Sequence, residues 1–258
     1  AMDSQFDLRR TAALAALVFV SAAVWTKSQA YAGWQPILLV LLVFALHCTN
    51  IATRIRATLH SIVPMSLAVL VCITYASPAA AVLYTAIGTL MAKLLARKPP
   101  IKAIFNASNE TLAAAAAGAA AYGVGLIPIS QSGVTGRDMA TDILAICAAA
   151  GAYALVDELL MVRVLSLAGG MPMRQVLMSN VDVRFGTRLG GLAAAVVMYF
   201  VLLESDLLLL GLPVLVYGLH LASAMRIRTR TERETWQRLA QATDKFNSVD
   251  FDGVLRTA

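Results

Sequence analysis

Residues Ile104–Gly125 read IFNASNETLAAAAAGAAAYGVG. From Leu112 on, the stretch holds only Leu, Ala, Gly, Tyr and Val, the material of a membrane span. Its first turns hold Asn106, Asn109 and Glu110 instead. With Lys102 these fall at i, i+4, i+7 and i+8, so a helix places all four on one face. Counting about 1.5 Å per residue from the basic end, Glu110 lies roughly 13 Å deep. Ionisable side chains at that depth are costly and mark candidate functional positions.

The rest of the chain supports a membrane setting. Of 258 residues, 59% are hydrophobic and only 14% are charged, too little polar surface for a water-soluble domain of this size. The apolar residues come in long blocks rather than at helix-face or strand spacing, which defines an integral membrane protein. Eight blocks can be read: Thr11 to Trp25, Trp34 to Thr53, His60 to Ala76, Pro78 to Leu95, Ile101 to Leu126, Met139 to Leu165, Leu189 to Leu203 and Leu207 to Met225. A helix needs about 20 residues to cross a hydrocarbon core of about 30 Å, so the first and seventh need flanking residues or tilt. Ser77-Pro78 splits the third from the fourth as a tight turn. A six-span count requires those two to form a re-entrant pair.

Charge orients the chain. With the N-terminus in the cytoplasm beside Arg9 and Arg10, eight crossings place Arg54, Arg56, Lys93, Arg97, Lys98 and Lys102 inside. Arg163, Arg174, Arg184, Arg188 and the arginines after Met225 follow them. Lys27 and Arg137 alone fall outside, the asymmetry of the positive-inside rule. The expected architecture is an all-α bundle of about eight transmembrane helices in the cell membrane, with both termini cytoplasmic. Residues 1–10 form the cytoplasmic N-terminus, 11–226 the membrane domain and 227–258 a cytoplasmic connector helix. The net charge of +6 sits at the ends of apolar blocks, which serves topology rather than nucleic-acid binding. Trp25, Tyr31 and Trp34 flank the first outer loop as an aromatic belt.

Small residues are packed into the blocks: Ala113 to Ala117, Gly118, Ala119 to Ala121, Ala148 to Ala150, and Gly186, Gly190 and Gly191. They let helices approach closely, since association in lipid relies on van der Waals packing. Cys48, Cys72 and Cys147 each stand alone in an apolar block, so neither a metal site nor a disulfide framework is expected. No cofactor is expected. Asp142 reads as interfacial.

On the sixth block, Asp157 and Glu158 lie at nearly the depth of Asn106, and Lys93 and Arg163 are at compatible depths. The expected cluster is therefore Asn106, Asn109, Glu110, Asp157, Glu158, Lys93 and Arg163. Two roles stay open for it. It is either a hydrogen-bond and ion-pair network that fixes packing, or a site for a small polar molecule, an ion or a proton that couples the bundle to the tail.

The tail is a different material. In RIRTRTERETWQRLAQATDKFNSVDFDGVLRTA, Trp236, Leu239, Thr243 and Phe246 fall at spacings of three, four and three. That stripe is shorter than two heptads, so it pairs in a homodimer only if the membrane domain holds the chains together. The amphipathic element begun at Ser248 reads as the entry to a further domain.

Catalysis finds little support. DELLMVR, Asp157 to Arg163, is distantly similar to the paired-acid-plus-Arg motif of membrane CAAX-type proteases. That motif has two glutamates and a three-residue gap, where this chain has Asp-Glu and four. No span carries a serine in a Gly-rich setting together with a histidine. No enzyme activity is expected of these 258 residues.

Three stretches carry a resemblance: KAIFNASNETLAAAAAGAAAYGVG, YALVDELLMVRVLSLAGGMPMRQVLMSN and ERETWQRLAQATDKFNSVDFDGVLRTA. Together they resemble the multi-span membrane sensor region of bacterial, actinobacterial-type signalling proteins. There it precedes GAF, GGDEF, EAL or HD-type output domains, often in cyclic-di-GMP signalling. The matching residues are Phe105, Asn106, the Asp157 position, where the family often has Asn, and Trp236 to Leu255. The resemblance implies a region that detects a stimulus in the membrane and passes it through its last helix to a cytoplasmic output module. The chain carries no GGDEF or HD motif of its own. The rival reading is a small-molecule carrier, such as the substrate-binding subunit of a vitamin importer.

Overall fold

A computed structural model describes residues 34–48, 51–55, 58–62, 65–131, 138–170, 172–178, 181–211, 236–237 and 239–241. The chain divides into two compact units. The first comprises 1–50 and 63–217, and the second 51–62 and 218–258.

The first unit is helical, as expected. Its described helices are α1 (Gln35–Cys48), α2 (Met65–Tyr75), α3 (Pro78–Leu95), α4 (Pro100–Val124), α5 (Met139–Gly169), α6 (Met173–Met178) and α7 (Val181–Glu204), followed by a 3-10 turn, Asp206–Leu210. Among the described residues, three helices are long and apolar enough to cross a membrane: Pro78–Leu95, Met139–Leu167 and Arg184–Glu204. This makes the chain a membrane protein by length and composition. α4 is long enough at 25 residues, but its polar first turns keep it from that group.

Two expectations about segment ends are corrected. The second and third apolar blocks were expected to run helically through Thr53 and from His60. Instead, Ile51–Ile55 and Thr58–Ile62 are antiparallel strands, β1 and β2, with Thr53 opposite His60. α2 begins only at Met65, directly after Pro64, a residue that a helix accepts at its start but not in its interior. Eleven residues rise about 16 Å, half of a hydrocarbon core, so α2 does not cross one alone.

α2 is nevertheless the centre of the packing. Ala68 to Ile73 are all at most 1% exposed, because α1, α3, α4, α5 and α7 all pack against it. A helix apolar on every side has no lipid or water face to distinguish. Its C-terminal carbonyls are met from outside: Ile129 N–H donates to Thr74 O, Ser130 N–H to Tyr75 O, and the Ser130 hydroxyl to Ala76 O. The loop after α4 thus satisfies groups that a buried helix end cannot leave to water. Ser77 then caps α3 by accepting from Ala80 N–H at 3.1 Å, with Pro78 in the first turn.

Glycines fix several helix crossings. A Cβ on Gly88 would lie 2.7 Å from Val43 Cγ1, one on Gly118 2.8 Å from Pro78 Cβ, and one on Gly191 2.5 Å from Ser66 Oγ. These contacts join α3 to α1, α4 to α3 and α7 to α2. Gly186 and Gly190, expected to do the same, have nothing within 4 Å of such an atom.

The second unit contributes the β1–β2 hairpin and a few helical residues of the tail. Trp236 and Leu239 are exposed there. The rest of the tail stripe, Thr243 and Phe246, lies outside the described residues. So do the first apolar block, Trp25 and Tyr31, and the eighth block beyond Gly211.

Candidate functional site

α5 is the helix through which the buried polar groups meet. Asp142, Ala145, Ile146, Ala149 and Tyr153 are buried along one stripe, while Leu144, Leu155 and Leu159 are exposed on the other side. The spacing of three and four carries Asp157 onto the inward stripe as well.

At one end of that stripe Asp142, only 5% exposed, accepts from the Tyr199 hydroxyl of α7. Asp142, expected to be interfacial, lies in the first turn of α5 and is buried against α7. Helix geometry turns it inward, one turn before Ala145 and Ile146.

At the other end lies the larger network. Asn109 Nδ2 on α4 donates to Asp157 Oδ1 at 2.9 Å. The Arg188 guanidinium on α7 pairs with the other carboxylate oxygen, Oδ2. One carboxylate thus joins α4, α5 and α7. One turn away, the Tyr153 hydroxyl donates to Glu110 Oε2 on α4. Arg188 also lies over the Tyr153 ring, 5.4 Å from its centroid, a cation–π arrangement that links the two acids. Beside them Arg184 Nη1 on α7 faces Glu158 Oε1 at 2.6 Å, and Arg184 Nη2 donates to the Leu177 carbonyl of α6.

Of the expected cluster, the structure unites Asn109, Glu110, Asp157 and Glu158. Asn106 is half-buried on the same helix and takes no part in these bonds. Lys93 stands near enough to Glu110 to act on it electrostatically, without closing an ion pair. Arg163 is exposed, and none of the bonds described above involves it. The cations that enter are Arg184 and Arg188, which the sequence reading placed in a loop before the seventh block. α7 starts at Val181, well ahead of the apolar run that begins at Leu189. Two arginines four apart, preceding a block of apolar residues, are the signal that was available: as helical residues they share a face.

Some buried polar atoms in this unit have no hydrogen-bond partner: Asn109 Oδ1, His47 Nδ1, Thr85 Oγ1 and Thr89 Oγ1. An orphaned buried acceptor costs about 1–3 kcal/mol, so the Asn109 amide is only half satisfied by Asp157. The Thr85 and Thr89 hydroxyls lie one turn apart on α3, both fully buried. No group of three or more His, Cys, Asp or Glu suited to a metal ion occurs among the described residues. An open groove of about 150 Å³ lies away from the network, lined by Ser77, Pro78, Tyr122, Leu126, Ile127 and Gln131.

Comparison with protein-family models, with curated proteins and with solved structures finds no match to this chain.

Proposed function

We propose that the chain is a membrane-embedded sensory or regulatory domain whose stimulus acts on the Asp157 network. The observation that carries this reading is Asn109. It is 3% exposed, it gives its Nδ2 to Asp157, and its Oδ1 has no hydrogen-bond partner. A small polar molecule or ion that donates to that oxygen would strengthen or weaken the Asn109–Asp157 link. Because Asp157 also holds Arg188, the change would alter how α4, α5 and α7 are held together. A ligand shifts such an equilibrium only by its differential affinity for the two arrangements. The resemblance to signalling membrane regions adds that the change would pass through the last helix and the Trp236–Leu239 segment to a cytoplasmic output module. A homodimer with both termini cytoplasmic, about eight crossings and no chemistry of its own belong to the same reading.

Native mass spectrometry of the full chain, released from nanodiscs, tests it. The expected result is a small molecule or ion retained by the native chain and lost in Asn109→Leu, with both proteins folded by circular dichroism. A native chain that retains nothing, and whose thermal midpoint no metabolite or ion mixture moves, overturns the reading. Uptake of a small solute by vesicles holding this chain alone would favour the carrier instead.

A further inference from the structure

The two ends of the membrane unit differ in charge. Asn109–Asp157 and Arg188–Asp157 bring the start of α4, the end of α5 and the start of α7 to one end. At that end the described and exposed charged groups outside the network include Arg97, Lys98, Lys102 and Arg174. At the opposite end, marked by the Asp142–Tyr199 bond, they include Asp138 and Glu204. The short α6 belongs to the basic end, where it packs on α5 and buries Val176.

Every residue of α6 but Val176 is exposed, Gln175 included, and three of them are large apolar side chains. Met173 is 48% exposed, Leu177 39% and Met178 64%, with Arg174 among them. Met173 and Leu177 share one helical row, Arg174 and Met178 the next. The neighbouring helices also expose large apolar residues, Leu155, Leu159 and Leu165 of α5 and Phe185 and Leu189 of α7, and both are long enough to cross a membrane. Arg184 holds α6 to the network by bonding both Leu177 O and Glu158.

We infer that α6 lies in the bilayer interface and selects anionic phospholipid. Met173, Leu177 and Met178 enter the acyl boundary, continuous with the lipid-facing sides of α5 and α7. Arg174 meets the phosphate headgroups. An anionic headgroup is the occupant that matches this charge, and a juxtamembrane cation is worth about fivefold in association with an anionic surface. The contact does not depend on the Asp157 network binding any ligand.

The test uses the full chain with Cys48→Ser and Cys147→Ser, since both thiols are exposed whereas Cys72 is buried. Met178→Cys then carries a fluorescent label, and the protein is placed in phosphatidylcholine vesicles. Brominated phosphatidylglycerol is expected to quench the label about fivefold more effectively than brominated phosphatidylcholine. Arg174→Gln should abolish that preference, and Arg174→Lys should keep it. A label quenched by neither lipid places α6 in water and overturns the inference. Equal quenching by both, or a preference that survives Arg174→Gln, overturns the headgroup selection.

Discussion

Asp157 of α5 accepts from Asn109 of α4 at 2.9 Å while its second oxygen pairs with Arg188 of α7. Three helices therefore depend on one carboxylate whose side chain is 14% exposed. Removing one partner of such a pair leaves the other charge uncompensated, which costs more than the pair contributes when intact. Asp157→Asn is expected to destabilise the unit by about 2–4 kcal/mol, as is Arg188→Met. The double variant should cost at least about 1 kcal/mol less than the sum, because the residues share one interaction. Thermal midpoints of the four proteins in one detergent measure this. Strict additivity would mean that the pair carries no coupling.

The α4–α3 crossing gives a paired prediction. A methyl on Gly118 would meet Pro78 Cβ at 2.8 Å and its Cα at 3.2 Å, atoms of a capped helix start with little room to move. Gly118→Ala should cost about 1–3 kcal/mol as overpacking. Gly151 on α5 has nothing within 4 Å. Gly151→Ala should be neutral or stabilising by up to about 1 kcal/mol, since glycine is a poor helix former. Side-by-side thermal unfolding decides, and equal effects would remove the crossing from the account.

Helix ends give a second pair. α3 closes with Lys98 N–H bonded to Lys93 O and Arg97 N–H to Leu94 O, and Arg97 takes φ 51°, the left-handed conformation that favours glycine. α4 closes in the same way with Gly125 at φ 101°. Arg97→Gly should stabilise by about 1 kcal/mol and Gly125→Ala should destabilise by a similar amount. Unfolding midpoints that move in the opposite directions would contradict the cap assignment.

Asp138 caps the start of α5 from outside the apolar segment. Its carboxylate accepts from the Thr141 hydroxyl at 2.6 Å and from Ala140 N–H at 3.1 Å. These bonds, the Thr141 one foremost, hold its pKa below the ordinary carboxylate value. A depressed folded pKa means that the cap's contribution is complete above the unfolded pKa of about 3.9 and is lost as pH falls through the folded value. Asp138→Asn keeps a capping oxygen without a proton to gain. The difference in midpoint between native and Asp138→Asn protein should therefore be constant at neutral pH and shrink below about pH 4. A difference unchanged at acid pH would show that the cap does not form.

Composition and spacing make this a helical membrane protein whose α4 carries polar residues along one side of its first turns. Both follow from local sums: apolar transfer energy adds along a block, and helical spacing alone puts Asn106, Asn109 and Glu110 on one side of α4. Spacing also places Asp157 and Glu158 at matching depth, since depth is a count of residues. Which cations meet those acids depends on how the helices pack. Arg184 and Arg188 enter because α7 is helical ahead of its apolar run and their charge is compensated by α5. Lys93, equally suitable by depth, comes near Glu110 without closing an ion pair, and Arg163 is exposed. Tertiary structure likewise decided that α2 is a short central helix, because five neighbours bury it and a distant loop meets its carbonyls, contacts that no window of sequence contains.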